Sequence, residues 1–584
     1  MVNIKINGTP YEVEENLTIM EAAKIAKVDI PHLCYLKDVN EIGACRLCCV
    51  EVEGENKLVP ACDNVVAEGM SIITNSPRVR AASRTNLELI MSRHDGTCTT
   101  CVRSGNCQLQ NLCIEFSLDV DLYEKHYAPE KKLQWNRQFP LIRDNNKCVK
   151  CMRCVQICDK VQSMKIWDTL GTGSHTRVGV FDGSSIHHTD CTLCGQCITH
   201  CPVGALRARD DTDRVIDAIS DPEIVTVFQI APAIRTAWGE PFGLSEKEAT
   251  VNRLAGCLKQ MGADYVFDTS FTADLTIMEE GNEFLTRLQR GDLKEYPMFT
   301  SCCPGWIRFI KKQFPQLVPQ LSSAKSPQQM FGAVMKTYFA EKIGVDPSKI
   351  FTVSIMPCVA KKAECDMDSM KSATGTANDV DVVLTTREVS RILMKEHIPA
   401  ARIEEAPFDQ LMADYSGAGV IFGTTGGVME AALRTAYFKV MGENPPADLF
   451  EEVNGFGQQG KYPWTEKEFE LKGTKIRIAV VNSLGHARAA CEAILRGEVK
   501  YDFVEVMACP GGCSGGGGQP INTEDEERAF SRGMYLHELD KGMELRFSHE
   551  NKDVQKLYED FLGEPLSERS EELLHVKHSL EFDR

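Results

Sequence analysis

The hydrophobic period of the chain changes within its first thirty residues. VNIKING (residues 2–8) and YEVEENLTI (11–19) alternate apolar and polar positions, which predicts two strands joined by a turn; MEAAKIAKV (20–28) moves to helical spacing. A small ββα start is expected. From about residue 221 the pattern is different. EIVTVFQI (223–230) is a continuous apolar run of strand length, followed by APAIRTAWGEPFG and a helical stretch. DYVFDT (264–269), FTVSIM (351–356), DVVLTT (381–386), GVIFG (419–423), KIRIAVV (475–481) and DFVEVM (502–507) read as further short strands, most of them followed by helical stretches. That order predicts α/β layers with a mostly parallel sheet. Ligands in such folds collect beyond the carboxyl ends of the strands.

Length adds a prior of about four domains, at roughly 150 residues each, for 584 residues. Lys and Arg number 65 against 83 Asp and Glu, a net charge of −18, so a chain-wide nucleic-acid face is not expected. No run approaches the ~18 apolar residues of a membrane helix. The amino-terminal stretch has no uninterrupted apolar core, so neither a secretory signal nor a twin-arginine signal is read, and the expected location is cytoplasmic.

Cysteine changes the picture most. There are 25, of which 17 lie at or before Cys201 and 8 in the remaining 383 residues. Without an export signal, metal binding is a better reading than a disulfide framework. Cys34, Cys45, Cys48 and Cys62 follow the ββα start, in PHLCY, GACRLCCVEV and VPAC. Four thiolates suit an iron–sulfur cluster or zinc. Gly43 can take positive φ and bring the backbone close to a cluster. Cys49 falls on the other side of an extended segment and is set aside. His94 lies four residues before Cys98, with Cys101 and Cys107 beyond it; taken alone it could be a surface histidine or a zinc ligand, and Cys113 has no assigned role. The spacing Cys148-x₂-Cys151-x₂-Cys154-x₃-Cys158 returns as Cys191-x₂-Cys194-x₂-Cys197-x₃-Cys201-Pro202. Two such runs are the two-cluster bacterial ferredoxin signature, in which the fourth cysteine of each run serves the other cluster. Cys148, Cys151, Cys154 and Cys201 are therefore expected to hold one 4Fe–4S cluster, and Cys191, Cys194, Cys197 and Cys158 the second. Asp159 stands where the first run lacks its proline.

Three rear segments carry cysteines without a Cys-x₂-Cys: TSCCPGW (Cys302, Cys303), MPCVAKKAE (Cys358) and EVMACPGGCSGGGGQP (Cys509, Cys513). The glycine-rich stretch Gly511 to Gly518 lacks the order of a phosphate loop. Glycines there would let the backbone approach a bulky inorganic group.

Together the three rear motifs resemble the H-cluster signatures of iron-only (di-iron) hydrogenases. GACRLCCVEV and HDGTC…C…C resemble the 2Fe–2S and His-Cys₃ 4Fe–4S modules at the front of the same family and of the large electron-transfer subunit of complex I. The resemblance covers almost the whole chain. It implies a multidomain α+β and α/β protein: a β-grasp, plant-type 2Fe–2S domain (1–80), a His-Cys₃ 4Fe–4S domain (81–137), a two-cluster ferredoxin domain (138–210) and a catalytic H-cluster domain (211–584).

The implied cofactors are one 2Fe–2S cluster, three accessory 4Fe–4S clusters, and an H-cluster made of a 4Fe–4S unit and a di-iron unit with CO, cyanide and azadithiolate. By the same resemblance Cys303, Cys358, Cys509 and Cys513 hold the H-cluster, Cys513 bridging to the di-iron unit and Lys361 binding a cyanide. Met356, Met507, Ala231, Pro232, Gln328 and Phe422 line the pocket. Ala233 stands where a serine is common; Cys365 and Pro510 are further variants. Cys302 is left unligated, and the resemblance makes it a proton carrier to Glu280, then Ser322, Glu283 and Arg287. A thiol with a pKa of about 8.5 suits that task. Glu280 and Glu283, three apart, share a helix face.

The implied reaction is the reversible oxidation of dihydrogen. At pH 7 the proton couple sits near −410 mV at about 59 mV per pH unit, beside plant-type clusters near −400 mV, so neither direction is fixed. Ferredoxin is the expected partner, together with maturation proteins. An alternative is the catalytic subunit of an NAD(P)-linked, electron-bifurcating complex. The chain shows no dinucleotide fingerprint, so the nucleotide would then bind a partner chain. The tail from Gly563 has no cysteine, which leans towards the simpler form. A sensor or assembly protein would tend to lose Cys302 or part of the lysine motif, and both are present. A complex I-type subunit would lack the three rear motifs.

Overall fold

The computed structural model describes residues 1–118, 135–446, 449–453, 461–521 and 528–580. Residues 119–134 of the expected 81–137 domain, and residues 581–584 of the tail, lie outside them. The chain divides into two compact units, residues 1–189 with 200–207 and residues 190–199 with 208–584. The second cysteine run is thereby shared: Cys191, Cys194 and Cys197 belong to the rear unit, Cys201 to the front.

The front unit opens with the expected hairpin, Val2–Ile6 antiparallel to Thr9–Val13. The helix Ile19–Ile25 starts at Thr18, whose hydroxyl accepts from the Glu21 amide while the Glu21 carboxylate accepts from the Thr18 amide, a capping box. The first strand pairs in parallel with Ser71–Ile73, and Cys49–Val52 and Val59–Pro60 complete a five-stranded sheet. Ile4, Ile6, Val13, Ile19, Ala22, Val50 and Ile72 form its core, and fully buried Cys48 and Cys62 belong to the same cluster. Gly43 has φ of 57°, and a Cβ there would sit 2.7 Å from Asp63 Oδ2, so the turn beside Cys45 requires glycine. Ser76 caps the helix Pro77–Met91, which leads to His94.

The rear unit contains two four-stranded sheets. In the first, Tyr265–Asp268, Val225–Ile230, Ile350–Met356 and Val382–Thr385 run parallel in that order. Its strands are buried on both faces: Phe228, Ile230 and Val266 face a cluster with Trp238 and Leu254, while Val227 and Phe267 face Phe271, Phe331 and Phe339. In the second, Met298–Phe299, Phe503–Met507 and Thr474–Asn482 are parallel, and Thr465–Leu471 pairs antiparallel at the edge. The expected strand at GVIFG is instead part of a helix, Gly417–Ile421, capped by Ser416. A run of three apolar residues between glycines cannot distinguish a buried helix from a strand by periodicity. A Cβ on Gly419 would meet Ser270 O at 2.4 Å, so the glycine lets this helix lie against its neighbour's backbone. No helix among the described residues is long and apolar enough to cross a membrane.

Candidate catalytic site and electron relay

The parallel register places Ile230, Asp268 and Ile355 side by side at one sheet end. The chain leaves that end as Ala231-Pro232, as Thr269 and as Met356-Pro357-Cys358. From the second sheet it leaves as Thr300 to Cys303 and, after Met507, as Ala508-Cys509. These exits converge on a cavity of about 80 Å³. Cys302, Cys303, Cys358, Cys509 and Cys513 line it, with Lys361, Met356, Met507, Ala231, Pro232, Ala233, Gln328 and Phe422. Every pocket residue expected from the sequence is on this wall.

The thiols of Cys303, Cys358, Cys509 and Cys513 lie within electrostatic reach of one another, and burial pushes each one's pKa up. Four thiols sharing one wall, Cys509 buried and the other three half-buried, fit a multi-iron cluster, whose iron would take the charge that desolvation opposes. Among the described residues no three His, Cys, Asp or Glu side chains are grouped as ligands of a single metal ion. The glycine loop is a mould against this wall. A Cβ on Gly516 would meet Pro357 O at 2.2 Å, one on Gly517 would meet Cys194 O at 2.5 Å, and one on Gly518 would meet Cys358 N at 2.9 Å.

Lys361 is buried, and its ammonium donates to Glu364 Oε2 at 2.9 Å and to Cys302 O at 3.2 Å. Burial disfavours the ammonium, but Glu364 and the thiols outweigh it, and the pKa is raised. Glu364 also accepts from Gln328 Nε2 and Ser326 Oγ, each at 3.0 Å. Gln328 in turn accepts from Ser354 Oγ at 2.9 Å. This polar floor was not read from the sequence; the i, i+3 pairing of Lys361 with Glu364 in MPCVAKKAE was its legible trace. Ala233 is fully buried, and its carbonyl accepts from Gln519 Nε2 at 2.9 Å. Cys365 is buried beside Lys362 O, away from the cavity lining. The Pro510 carbonyl is the group a Cβ on Gly515 would meet, at 2.0 Å.

The helix Thr269–Arg290, capped at Asp268 and ended by Gly291 at φ 77°, carries the expected acidic residues. Glu280 is fully buried, and neither carboxylate oxygen has a hydrogen-bond partner among the described residues. Burial, then the charge of Glu283, raises its pKa to about 8. Cys302 is buried within electrostatic reach of Glu280, and burial raises its pKa well above the ordinary thiol value. Glu283 accepts from Ser322 Oγ at 2.8 Å and from Arg287 Nη2 at 2.6 Å. Arg287 is the most exposed of the set, at 20% of its side chain. His578 was not anticipated: its Nε2 lies 2.9 Å from Ser322 O, and burial lowers its pKa to about 4, so the ring is neutral.

In the front unit the thiols of Cys34, Cys45, Cys48 and Cys62 interact in a chain, Cys45 with Cys34, Cys34 with Cys62 and Cys62 with Cys48. Cys49 begins the neighbouring strand and is buried. Cys98 and Cys101 lie on a short turn ahead of Cys107, and buried His94 has no hydrogen-bond partner at Nδ1. Cys113 is within electrostatic reach of Cys107 and Cys98, its pKa raised by burial to about 11. Cys148, Cys151, Cys154 and Cys201 act on one another's charges and form one group. Cys158 is buried in the same unit, its sulfur accepting from the Ile166 amide at 3.4 Å. In the rear unit Cys194 is within reach of Cys191 and Cys303, and Cys509 Sγ lies 3.7 Å from Cys194 O. Cys197 is buried on the helix Gln196–Thr199.

A parallel α/β unit with four thiols gathered beyond its strand ends beside an acidic helix, in a chain whose first 207 residues are rich in grouped cysteines, fits an iron–sulfur redox enzyme. Residues 224–517 match the family "Iron only hydrogenase large subunit, C-terminal domain", and residues 526–580 match "Iron hydrogenase small subunit". Residues 1–77, 84–120 and 140–207 match a 2Fe–2S cluster binding domain, an NADH-ubiquinone oxidoreductase-G iron-sulfur binding region and the ferredoxin-like domain of NADH-quinone oxidoreductase subunit 3. The chain is 42% identical to the NADP-reducing hydrogenase subunit HndD of Solidesulfovibrio fructosivorans, over 99% of each chain. It is 38% identical to iron hydrogenase 1 of Clostridium pasteurianum, over 99% of this chain and 100% of that one. The apo [FeFe]-hydrogenase HydA1 of Chlamydomonas reinhardtii superposes with a TM-score of 0.55 at 40% identity, covering 64% of this chain and 99% of that one. The chain belongs to the iron-only hydrogenases, oxidoreductases that act on dihydrogen.

Proposed function

We propose that this chain interconverts dihydrogen with protons and electrons, with Cys303, Cys358, Cys509 and Cys513 holding the H-cluster. The observation that carries the reading is the convergence of those four thiols with Lys361 and Cys302 on one buried cavity. When bound, the di-iron unit supplies the metal chemistry of dihydrogen cleavage and formation. Lys361, fixed by Glu364, presents a cation to its cyanide side; Met356, Met507, Phe422, Ala231 and Pro232 keep water off; Gln328 anchors the polar floor. Cys302 moves a proton between the cavity and Glu280. Ser322 and Glu283 carry it on, and Arg287 holds Glu283 at the outer end. Glu280 with a pKa of about 8 can both take and release a proton near neutrality, as a relay group must.

For the electrons we assign one 2Fe–2S cluster to Cys34, Cys45, Cys48 and Cys62. Accessory 4Fe–4S clusters go to His94, Cys98, Cys101 and Cys107, to Cys148, Cys151, Cys154 and Cys201, and to Cys191, Cys194, Cys197 and Cys158. A low-potential carrier such as ferredoxin is the proposed partner. The 42% identity to a subunit of an NADP-reducing hydrogenase supports a second reading, in which NAD(P)-binding partner chains take the electrons. A chain of 25 cysteines with none in a disulfide suits the reducing cytoplasm. Assays of the matured protein with ferredoxin and NAD(P)H, separately and together, decide between the partners.

Three variants test the catalytic assignment. Cys302→Ser keeps all clusters but cuts turnover severely, because a hydroxyl is far less acidic than even a buried thiol. Cys302→Asp returns part of the activity with an altered pH profile. Cys303→Ser loses or destabilises the catalytic cluster, because it removes an iron ligand. Iron content, infrared CO and cyanide bands and dihydrogen turnover are read together. Wild-type turnover in Cys302→Ser, or loss of its infrared bands, overturns the relay.

A further inference from the structure

Three arginines are buried in the front unit around Cys148, Cys151, Cys154 and Cys201. Arg153 is 0%, Arg103 5% and Arg143 7% exposed. The favourable charges acting on them are thiols: Cys151, Cys34, Cys201 and Cys45 on Arg153; Cys201, Cys107 and Cys101 on Arg103; Cys148, Cys154 and Cys201 on Arg143. Their hydrogen bonds are equally telling. Arg143 Nη2 donates to Cys148 Sγ at 3.3 Å and to Val178 O at 2.7 Å, and its guanidinium lies 5.0 Å from the centre of the Trp167 ring. Arg103 Nη1 donates to Cys201 O at 3.1 Å, and Arg153 Nη2 to Tyr35 O, beside Cys34, at 2.8 Å. Arg153 Nε and Nη1, and Arg143 Nη1, are buried with no partner among the described residues. Fully buried Asn40 donates through one amide nitrogen to Cys34 O at 2.6 Å and to Cys151 O at 2.9 Å.

A buried guanidinium without a counter-anion is expensive, and three in one place cannot be held by carbonyls alone. The anion they fit is an iron–sulfur cluster with thiolate ligands. Such a cluster gains one negative charge when reduced, so nearby cations stabilise its reduced form and raise its potential. Two of the three also reach towards neighbouring sites, Arg153 to Cys34 and Cys45, Arg103 to Cys101 and Cys107. Arg143 has only this one.

We propose that Arg103, Arg143 and Arg153 set the reduction potential of the cluster held by Cys148, Cys151, Cys154 and Cys201, making it the most readily reduced 4Fe–4S site of the front unit, with Asn40 tying its ligand backbone to that of the 2Fe–2S site. Electrons arriving from either neighbouring site then pool there. The proposal rests on the ligand assignment given under the proposed function.

The test is a stepwise reductive titration of the full-length chain with its iron–sulfur clusters, followed by electron paramagnetic resonance and iron analysis. Arg153→Gln and Arg143→Gln keep their iron and shift one and the same 4Fe–4S signal to lower potential. The expected change is about tenfold in its reduction equilibrium, or about 59 mV for a one-electron couple. Arg153→Lys keeps the charge and the wild-type position within about threefold. Unshifted signals in both Gln variants, or an Arg153→Lys shift as large as that of Arg153→Gln, overturn the proposal. Should the Gln variants lose iron, the unaltered chain decides: of the two 4Fe–4S signals that Cys98→Ala and Cys151→Ala remove, the one missing from Cys151→Ala must appear first on reduction. A different first signal refutes the potential ordering. A Cys151→Ala chain with every 4Fe–4S signal and all its iron refutes the ligand assignment, and with it the proposal.

Discussion

Glu279 and Glu280 are neighbours on one helix and both are fully buried, yet they face opposite chemistries. The Glu279 side is the carboxy-terminal segment. There the carboxylate accepts from Tyr558 OH at 2.5 Å, Ser570 Oγ at 2.5 Å and the Leu566 amide at 2.9 Å, and meets His575 Nε2 at 3.0 Å. Burial pushes its pKa up, but the bonds from His575, Ser570 and Tyr558 outweigh burial and bring it below the ordinary value. The Glu280 side is the catalytic one, and that carboxylate has no partner among the described residues. Identical side chains at equal burial thus differ in their neighbours: Glu279 is held by four donors, whereas Glu280 has the like charge of Glu283 beside it and suits the proposed proton carrier.

The comparison breaks if Glu280 proves dispensable. Glu280→Ala should lower dihydrogen turnover by about 10²–10⁴-fold at unchanged iron content and infrared bands; turnover within threefold of wild type removes it from the relay. The two residues should also respond to pH with opposite sign. Glu280 has its pKa raised from 4.5 to about 8. The cost of burying its charge is absent below the unfolded value and grows as pH rises towards 8, reaching about 5 kcal/mol above it. Glu280→Gln should therefore gain stability over the wild type as pH rises, read from denaturant midpoints; a gap independent of pH contradicts the raised pKa. Glu279 has its pKa lowered, so its contribution is present above the unfolded value and is lost as pH falls through the folded one.

Glu279→Ala should cost about 3–5 kcal/mol at pH 7, because it strands several buried donors. Its turnover per intact cluster should stay within a few-fold of wild type, and a severe loss there would make Glu279 part of the relay as well. The mildest change, Tyr558→Phe, removes one donor of several and should cost about 1–2 kcal/mol without shifting the pH profile of turnover. Its unfolding midpoint is the measurement, and an unchanged midpoint would show that the bond contributes nothing net.

What the sequence disclosed follows the same division between local and distant. Within the two ferredoxin-like runs the cysteines have only two or three residues between them, so their grouping is written in the spacing, whereas Cys34, Cys45 and Cys62 stand more than ten residues apart and were joined by the resemblance; the ββα start shows in the change of period. The rear thiols come from loops more than fifty residues apart; only the resemblance brought Cys303, Cys358 and Cys509 together before the strand ends did. GVIFG misled because three buried apolar residues in a row have no period to read, and the split into two sheets left no trace in the order of apolar runs. Glu364 was visible as a charge pair on a helix turn. The partners of Glu279 were not, since nothing in LLHVKHS marks His575 as the neighbour of a residue so far upstream.

That separation in sequence has a consequence for biosynthesis. Glu279 and His575 lie 296 positions apart. At a translation rate of about 5–20 residues per second, roughly 15–60 s pass between their appearances on the ribosome. During that interval the helix carries a carboxylate whose partners do not yet exist, so it cannot settle into its final dry packing. The acidic helix can therefore complete its packing only after residues 558–575 have been made, and a chain truncated before Tyr558 should carry that helix still open to water.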